Sequence, residues 1–382
     1  MAAKRNEGLL APYRVLDLTD ELGFLCGKIF GDLGADVIKI ERPETGDDTR
    51  GWGPPFVGGD AAYFLSLNRN KRSVTLDLST DEGRSAARRL ALASDVVVEN
   101  FRPGLMERFG LDHASLAEDH PGLVYCSLTA FGEGDPAARP GYDIIVQALS
   151  GLMSFTGHPG GEPTKVGVAL LDVICGLYAC NAIQAALIGR GTTGRGARVT
   201  VSLFDASVAA LVNQAANYLL GGLVPEPLGN AHPNIVPYQL FETADRPIIL
   251  AAGNDRLFER TCEVVGHPEL AADERFATNA ARVRNRDALI PLLSTELAGR
   301  SAAEWLEAFE AAAVPCAPVR KLDEVFASAE GAAAIQEIDD PVRGLLRLVA
   351  DPIRVDGRVS PARFPPPRLG EHTDEILAEL EE

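Results

Sequence analysis

The sequence predicts an α/β protein built on a mostly parallel sheet, followed by a second and smaller unit. Three observations carry this. Short apolar runs alternate with helical patterns up to the Gly-rich loop after Phe131. Pro and Gly then cluster in LVPEPLGNAHPNIVPYQ, which marks a crossing between domains. With 382 residues, the chain is long enough for two domains, or for one large domain with an insertion.

The elements follow in order. YRVLDLT is a short strand, FLCGKIFGDLGA has helical spacing and ends at a Gly, and DVIKIE is a second strand. SVTLDLS is a third, a charged helical pattern runs from Asp81 to Ala93, and DVVVENF is a fourth. GLVYCSLTAFG is a strand that breaks into a loop. Strands alternating with helices imply a parallel sheet with helices on its faces. From Asp143 to Leu220 helical patterns dominate, broken by the turn GRGTTGRG before the strand ARVTVSLF. RPIILAAG is a strand, and the stretches near Asp255–Val265 and Asp287–Ala311 read as helices.

Composition narrows the function classes. Hydrophobic residues are 46% and charged residues 24%, an ordinary globular balance. The net charge of −18 argues against a nucleic acid or an anionic membrane as the main partner. The six cysteines form no CxxC pair, and no long apolar stretch opens the chain, so a reduced, cytoplasmic protein is the expectation. The six histidines are scattered, and neither a zinc pattern nor GxSxG appears. GRGTTGRG lacks the order of a phosphate loop, and no GxGxxG follows the first strand.

One charge is out of place. From Val166 to Ile188 nearly every residue is small or apolar, yet Asp172 sits inside the run. Asn181, Gln184 and the nearby turn favour a core helix over a membrane span. Asp172 then either caps that helix or does chemistry, since acids in apolar clefts are site candidates. A second group of residues lies in loops after the strands, several of them polar or basic: Arg42, Leu76, Ser79, Asn100, Phe101 and Arg108. Loops after successive parallel strands gather on one edge, where an adenine nucleotide with phosphates fits, with Arg as the anion partner.

GADVIKIERPETGDDTR, NRNKRSVTLDLST, VVENFRPGLMERFGL, GYDIIVQALSGLMSFTG and LGEHTDEIL resemble the family III CoA-transferases, the CaiB/BaiF type that includes the formyl-CoA transferases. The resemblance implies a large Rossmann-like domain from residues 1–215 with a C-terminal return over 330–382, a smaller α/β domain over 225–325, and an interlocked homodimer. It implies that Asp172 is a covalent nucleophile with Tyr142 beside the thioester, and that Arg42, Leu76, Asn100, Phe101 and Arg108 line the CoA pocket. Ser79 stands where a Lys is frequent, and Arg139 beside Pro140 where a basic residue is usual. Trp52, Asp143 and His232 fall to the substrate pocket. The glycine-run loop of formyl-CoA transferases is absent, with GNAHPNIVPYQ in its place, and the first loop, DELGF, is short. The implied activity is CoA transfer between an acyl-CoA and a carboxylic acid, with CoA as substrate, no resident cofactor and no metal. The apolar NYLLGGLVPEPL leans toward a medium-length, less polar acyl chain. The alternatives are an acyl-CoA racemase of the same fold, which carries a His at position 142 and an acid at Asp255, and a non-catalytic acyl-CoA-binding protein.

Overall fold

Six strands pair in parallel: β1 (Arg14–Leu18), β2 (Asp36–Glu41), β3 (Lys71–Thr75), β4 (Val96–Glu99), β5 (Val124–Thr129) and β6 (Arg198–Ser202). The structure is a computed structural model and describes residues 8–20, 24–134 and 139–381. The strand order is β3-β2-β1-β4-β5-β6, the doubly wound order of dinucleotide-binding sheets. It is reached here without their glycine fingerprint. β4 and β5, buried along their length, read as near-continuous apolar runs rather than as alternation, which made them visible in the sequence. The order reverses between β1 and β4, so ligands are expected at the carboxyl ends of these strands.

The helices of this part include α1 (Phe24–Asp32), α2 (Asp81–Leu92), α3 (Leu105–Phe109), α4 (Asp143–Leu149), α5 (Leu170–Thr193), α6 (Leu203–Ala210) and α7 (Val212–Gly221); short helices also span Ala62–Leu67 and His113–Ala117. Thr80 caps α2 by accepting the Gly83 N–H, and Ala86, Ala87, Leu90 and Ala91 form its buried stripe. One core, on the face of α1 and α5, joins Phe30, Val98, Cys126, Cys175 and Ile183; the other, on the face of α2, joins Leu16, Ile38, Val97 and Leu90. A right-handed crossover from β5 to β6 would run over the α2 face; α5 instead lies with α1. In α1, a Cβ on Gly27 would meet the Asp17 carboxylate at 2.4 Å. A glycine inside a helix costs about 1 kcal/mol against alanine, and here it lets the helix approach the buried Lys71–Asp17 pair (2.9 Å).

α5 differs from the sequence reading at its end. The predicted turn GRGTTGRG begins inside the helix, which runs on to Thr193. The left-handed cap is Gly194, with φ 68° and its N–H on the Arg190 carbonyl. By length and composition alone α5 is apolar enough to cross a membrane. Leu171, Cys175, Ala179, Ile183 and Leu187, four residues apart, put one stripe of it into the protein core.

The stretch NRNKR is nearly all charge or amide, yet Asn68 through Arg72 are buried. Arg69 and Asn70 bond to Asp32, Lys71 to Asp17, and Arg72 to Asp36 and Glu379.

The chain divides into two compact units. The larger holds residues 1–152, 165–222 and 329–382, and the smaller holds 153–164 and 223–328. In the smaller unit β7 (Tyr238–Phe241), β8 (Ile248–Ala251) and β9 (Cys316–Pro318) form an antiparallel sheet in the order β9-β8-β7. Around it pack α8 (Asp255–Val265), α9 (Asn279–Arg284), α10 (Arg286–Leu297) and α11 (Ala302–Ala311), with Phe258, Trp305 and Phe309 in the core. The last segment adds the hairpin β10 (Ile335–Asp340) and β11 (Gly344–Val349), and then α12 (Thr373–Glu379). His372 donates its N–H to the Ser73 carbonyl (2.9 Å), and Thr373 accepts the Thr75 N–H (3.1 Å), so this segment seals the outer strand β3.

Candidate active site

At the carboxyl ends of β1 to β4 lies a cavity of about 590 Å³, lined by Arg42, Leu76, Ser79 and Phe101 together with Leu105 and Phe109 of α3. Arg42, the first residue after β2, is half in solvent. It bonds to the Gly46 carbonyl (3.2 Å), to Asp20 (3.1 Å) and to Asp48. Burial and the nearby Asp47 push the Asp20 carboxyl up to about 7, against the pull of Lys39 and Arg42. Beneath them Lys39 is buried, with its ammonium on Asp47 (2.8 Å) and on the Thr19 carbonyl (2.6 Å).

Asn100 turns inward rather than making a solvated turn. Its amide oxygen accepts the Asp20 N–H (3.0 Å) and its NH₂ donates to the Asp20 carbonyl, which ties the end of β4 to the end of β1. Phe101 meets Phe109 edge-on at 6.3 Å. Ser79 lines the cavity, but its N–H and hydroxyl both go to Asp77 (2.9 and 2.6 Å). Arg108 is exposed on α3 and is absent from the lining, while Leu105 and Phe109 of the same helix contribute to it.

The second group gathers at the start of α5. The far end of this helix is tied to the amino edge of the sheet, where Arg190 bonds to the Gly122 carbonyl (3.1 Å) and Asp95 (2.8 Å). Twenty-four residues of helix span about 36 Å, more than the length of any strand beneath it. Its first turn therefore reaches the carboxyl edge. Asp172 is the third helical residue and half-buried; the cap position is Ala169, which makes no side-chain cap bond. Another carboxylate takes part in capping this helix. Asp143 accepts the Leu171 N–H at 2.8 Å. Its other oxygen takes the NH₂ of Gln147, whose carbonyl oxygen accepts the Val166 N–H at 2.9 Å. Tyr142 precedes Asp143 and is 55% exposed, so its ring is available to a ligand. Burial and the neighbouring Asp172 push the Cys175 thiol up to about 12, so it stays protonated one turn along.

The remaining candidates stand elsewhere. Trp52 is partly exposed and packs edge-on against Tyr63 at 5.3 Å. The guanidinium of Arg139 lies 4.7 Å over the Phe131 ring. His232 belongs to the smaller unit. Its Nδ1 accepts the Asn234 N–H (3.0 Å), its carbonyl takes a bond from Arg286 (2.7 Å), and burial lowers its pKa, helped by Arg286. Asp255, the racemase acid, is held by the buried Arg282 (2.8 Å) and caps the chain at the Asn279 N–H (2.9 Å). Residues 21–23 of the DELGF loop lie outside the described residues. Among the described residues no group of three His, Cys, Asp or Glu is arranged to hold a metal.

Sequence reasoning missed Gln147 and the Asp20–Lys39–Asp47 group. The signal for Gln147 was its place four residues after Asp143 on one helix. It also missed a larger cavity, about 690 Å³, over β4 to β6, lined by Glu99, Tyr125 and Arg198. Of the predicted residues only Phe101 borders it.

Comparison with known proteins agrees with this geometry. The model of CoA-transferase family III matches residues 10–373. A succinate–glutarate CoA-transferase of Agrobacterium fabrum is 45% identical, over 97% of this chain and 96% of that protein. A human succinyl-CoA:glutarate CoA-transferase is 41% identical, over 96% of this chain and 85% of that protein. The crystal structure of a CaiB/BaiF family protein from Brucella suis superposes with a TM-score of 0.85 at 45% identity, over 98% of this chain and all of that one. With its doubly wound sheet, its cavity at the switch point and a carboxylate in the first turn of α5, the chain belongs to CoA-transferase family III.

Proposed function

We propose that this CoA-transferase moves CoA from succinyl-CoA, or another short dicarboxylyl-CoA, to a second dicarboxylic acid such as glutarate, with Asp172 as the covalent carrier. The observation that carries this is the setting of Asp172: a carboxylate in a first helical turn, at the carboxyl edge of the sheet, next to the Leu171 N–H that Asp143 holds, with the exposed Tyr142 just before Asp143 in the chain. The Asp172 carboxylate attacks the thioester carbonyl and CoA thiolate leaves, giving a mixed anhydride. The thiolate attacks the Asp172 carbonyl, releasing the donor acid and leaving an aspartyl-CoA thioester. The acceptor carboxylate then attacks that thioester and frees the thiolate. The thiolate attacks the acceptor's carbonyl in the new anhydride, so the acceptor leaves as its CoA ester and Asp172 is regenerated. One hard exchange becomes several easier ones. The helix N-terminus favours the ionised form that the attack needs, and Tyr142 is a hydrogen-bond donor for the oxyanions.

The dicarboxylate class rests on the two relatives named for succinate and glutarate. It replaces the lean toward a less polar acyl chain. Tyr218, Leu219 and Leu220, part of the stretch behind that lean, are 54%, 76% and 89% exposed. Exposed apolar side chains of this size fit an interface between two copies. A dimer mass by sedimentation at nanomolar concentration is expected; a folded, active monomer there contradicts it. Against the racemase reading stands the engagement of Asp255, its second acid, by Arg282 and the Asn279 N–H.

A panel of acyl-CoA donors and acceptor acids, read by mass spectrometry, tests the substrate class. Succinyl-CoA with glutarate is expected to exceed any monocarboxylic pair, and a preference for monocarboxylic acids overturns it. In the same panel Arg42→Ala should raise the KM for every acyl-CoA about tenfold, the low end of a bond to a charged group, with kcat little changed. An unchanged KM removes Arg42 from the CoA site.

A further inference from the structure

We propose that Gln147, through Asp143, is a positioning residue that sets where the nucleophile stands. The inference rests on the reading of Asp172 as the nucleophile. Gln147 is fully buried, and its amide orientation is fixed at both ends. Its NH₂ can only donate and faces the Asp143 carboxylate, and its carbonyl can only accept and faces the Val166 N–H at 2.9 Å. Asp143 passes this constraint on by holding the Leu171 N–H at 2.8 Å. Two side chains one turn apart on α4 thus grip both ends of the segment from Val166 to Leu171. That segment has small residues at Gly167 and Ala169, and no side-chain cap of its own. The next residue is Asp172. A strong bond one residue before a nucleophile fixes the helix start, and with it the direction from which the carboxylate meets the thioester.

The arrangement of donors makes a sharp test possible. In Gln147→Glu the two carboxylates face each other without a proton between them. In Asp143→Asn an amide NH₂ faces the Gln147 NH₂, and the pair is mismatched again. In the double variant Asp143→Asn, Gln147→Glu every bond is regained with donor and acceptor exchanged. The introduced amide takes the Leu171 N–H on its oxygen and donates its NH₂ to the introduced carboxylate, whose other oxygen takes the Val166 N–H. The expected result is a fall in kcat of about 100-fold in each single variant, the scale of a misplaced reacting group, with the KM for acyl-CoA within about twofold. The double variant returns to within about tenfold of the parent, a coupling that neither single change predicts. Lowering the pH from about 8 to about 5 should restore Gln147→Glu relative to the parent, since one proton shared between two close carboxyls remakes the donor. A merely structural role would lower the melting temperature and the amount of active enzyme together; a fall in kcat at unchanged KM in a fully folded single variant, restored in the double variant, marks the positioning role. A well-folded double variant no better than the worse single variant overturns the proposal, and shows that the charge at Asp143 is what matters. Should a single variant fail to fold, the double variant carries the test alone. Borohydride trapping of the adduct in the parent enzyme reports on Asp172 independently: an adduct on Asp172 without rescue in the double variant overturns the positioning role only, and no adduct overturns both.

Discussion

Asp172→Asn is expected to abolish transfer while leaving the protein folded. Asparagine keeps the shape of the side chain but loses the anionic oxygen, and loss of a covalent nucleophile lowers kcat by about four to six orders of magnitude. Stability should fall by no more than about 1 kcal/mol, the worth of a charge in a first helical turn, because the cap bond on the Leu171 N–H comes from Asp143. In the parent enzyme, acyl-CoA without acceptor should leave an adduct on the peptide holding Asp172, which hydroxylamine converts to a hydroxamate. Full activity in the folded variant, with no such adduct in the parent, would return Asp172 to a structural role.

The second large effect is on stability. Asp32 is buried and takes both nitrogens of the Arg69 fork (2.9 and 2.8 Å), the Lys28 ammonium (2.9 Å) and the Asn70 amide (2.7 Å). Asp32→Ala leaves the fully buried Arg69 without its counter-charge, which costs about 3–5 kcal/mol, a large part of the ~5–15 kcal/mol that holds a protein folded. The urea midpoint at neutral pH should drop accordingly. Burial alone would raise the Asp32 pKa, but the Arg69 and Lys28 bonds outweigh it and hold the carboxyl below its ordinary 3.8. A depressed folded pKa means that the stability is fully present above that ordinary value and is lost as pH falls through the folded one. Parent and variant should therefore differ at pH 7 and converge only in strong acid. An unchanged midpoint at pH 7 would show that Arg69 finds another partner.

The inner strands β4 and β5 were legible because burial along their length leaves a near-continuous apolar signature in DVVVENF and VYCSLT. The strand-end residues Arg42, Leu76, Ser79 and Phe101 could be gathered on one edge because parallel strands force it, and they line one cavity. NRNKR was not legible as core. Its partners lie at Asp17, Asp32, Asp36 and Glu379, and no local pattern announces a counter-charge three hundred residues away. Asp172 was singled out by its isolation in an apolar run, but the run hid where the helix begins. Leu170 is first because Asp143, 28 positions earlier than Leu171, supplies the cap. The segment 153–164 has no compositional mark that assigns it to the smaller unit.

The closure of β3 by the end of the chain has a consequence for biosynthesis. Arg72 meets Glu379 across 307 positions, and the Ser73 and Thr75 backbone groups wait for His372 and Thr373. At about 5–20 residues per second, a ribosome takes roughly 15 to 60 s to travel that distance. During that interval the outer edge of the sheet is an unsealed strand on a nascent chain, open to pairing with a neighbour on the same messenger. The larger unit can thus be completed only after α12 has been made, and until then the edge of β3 lacks the groups that cover it.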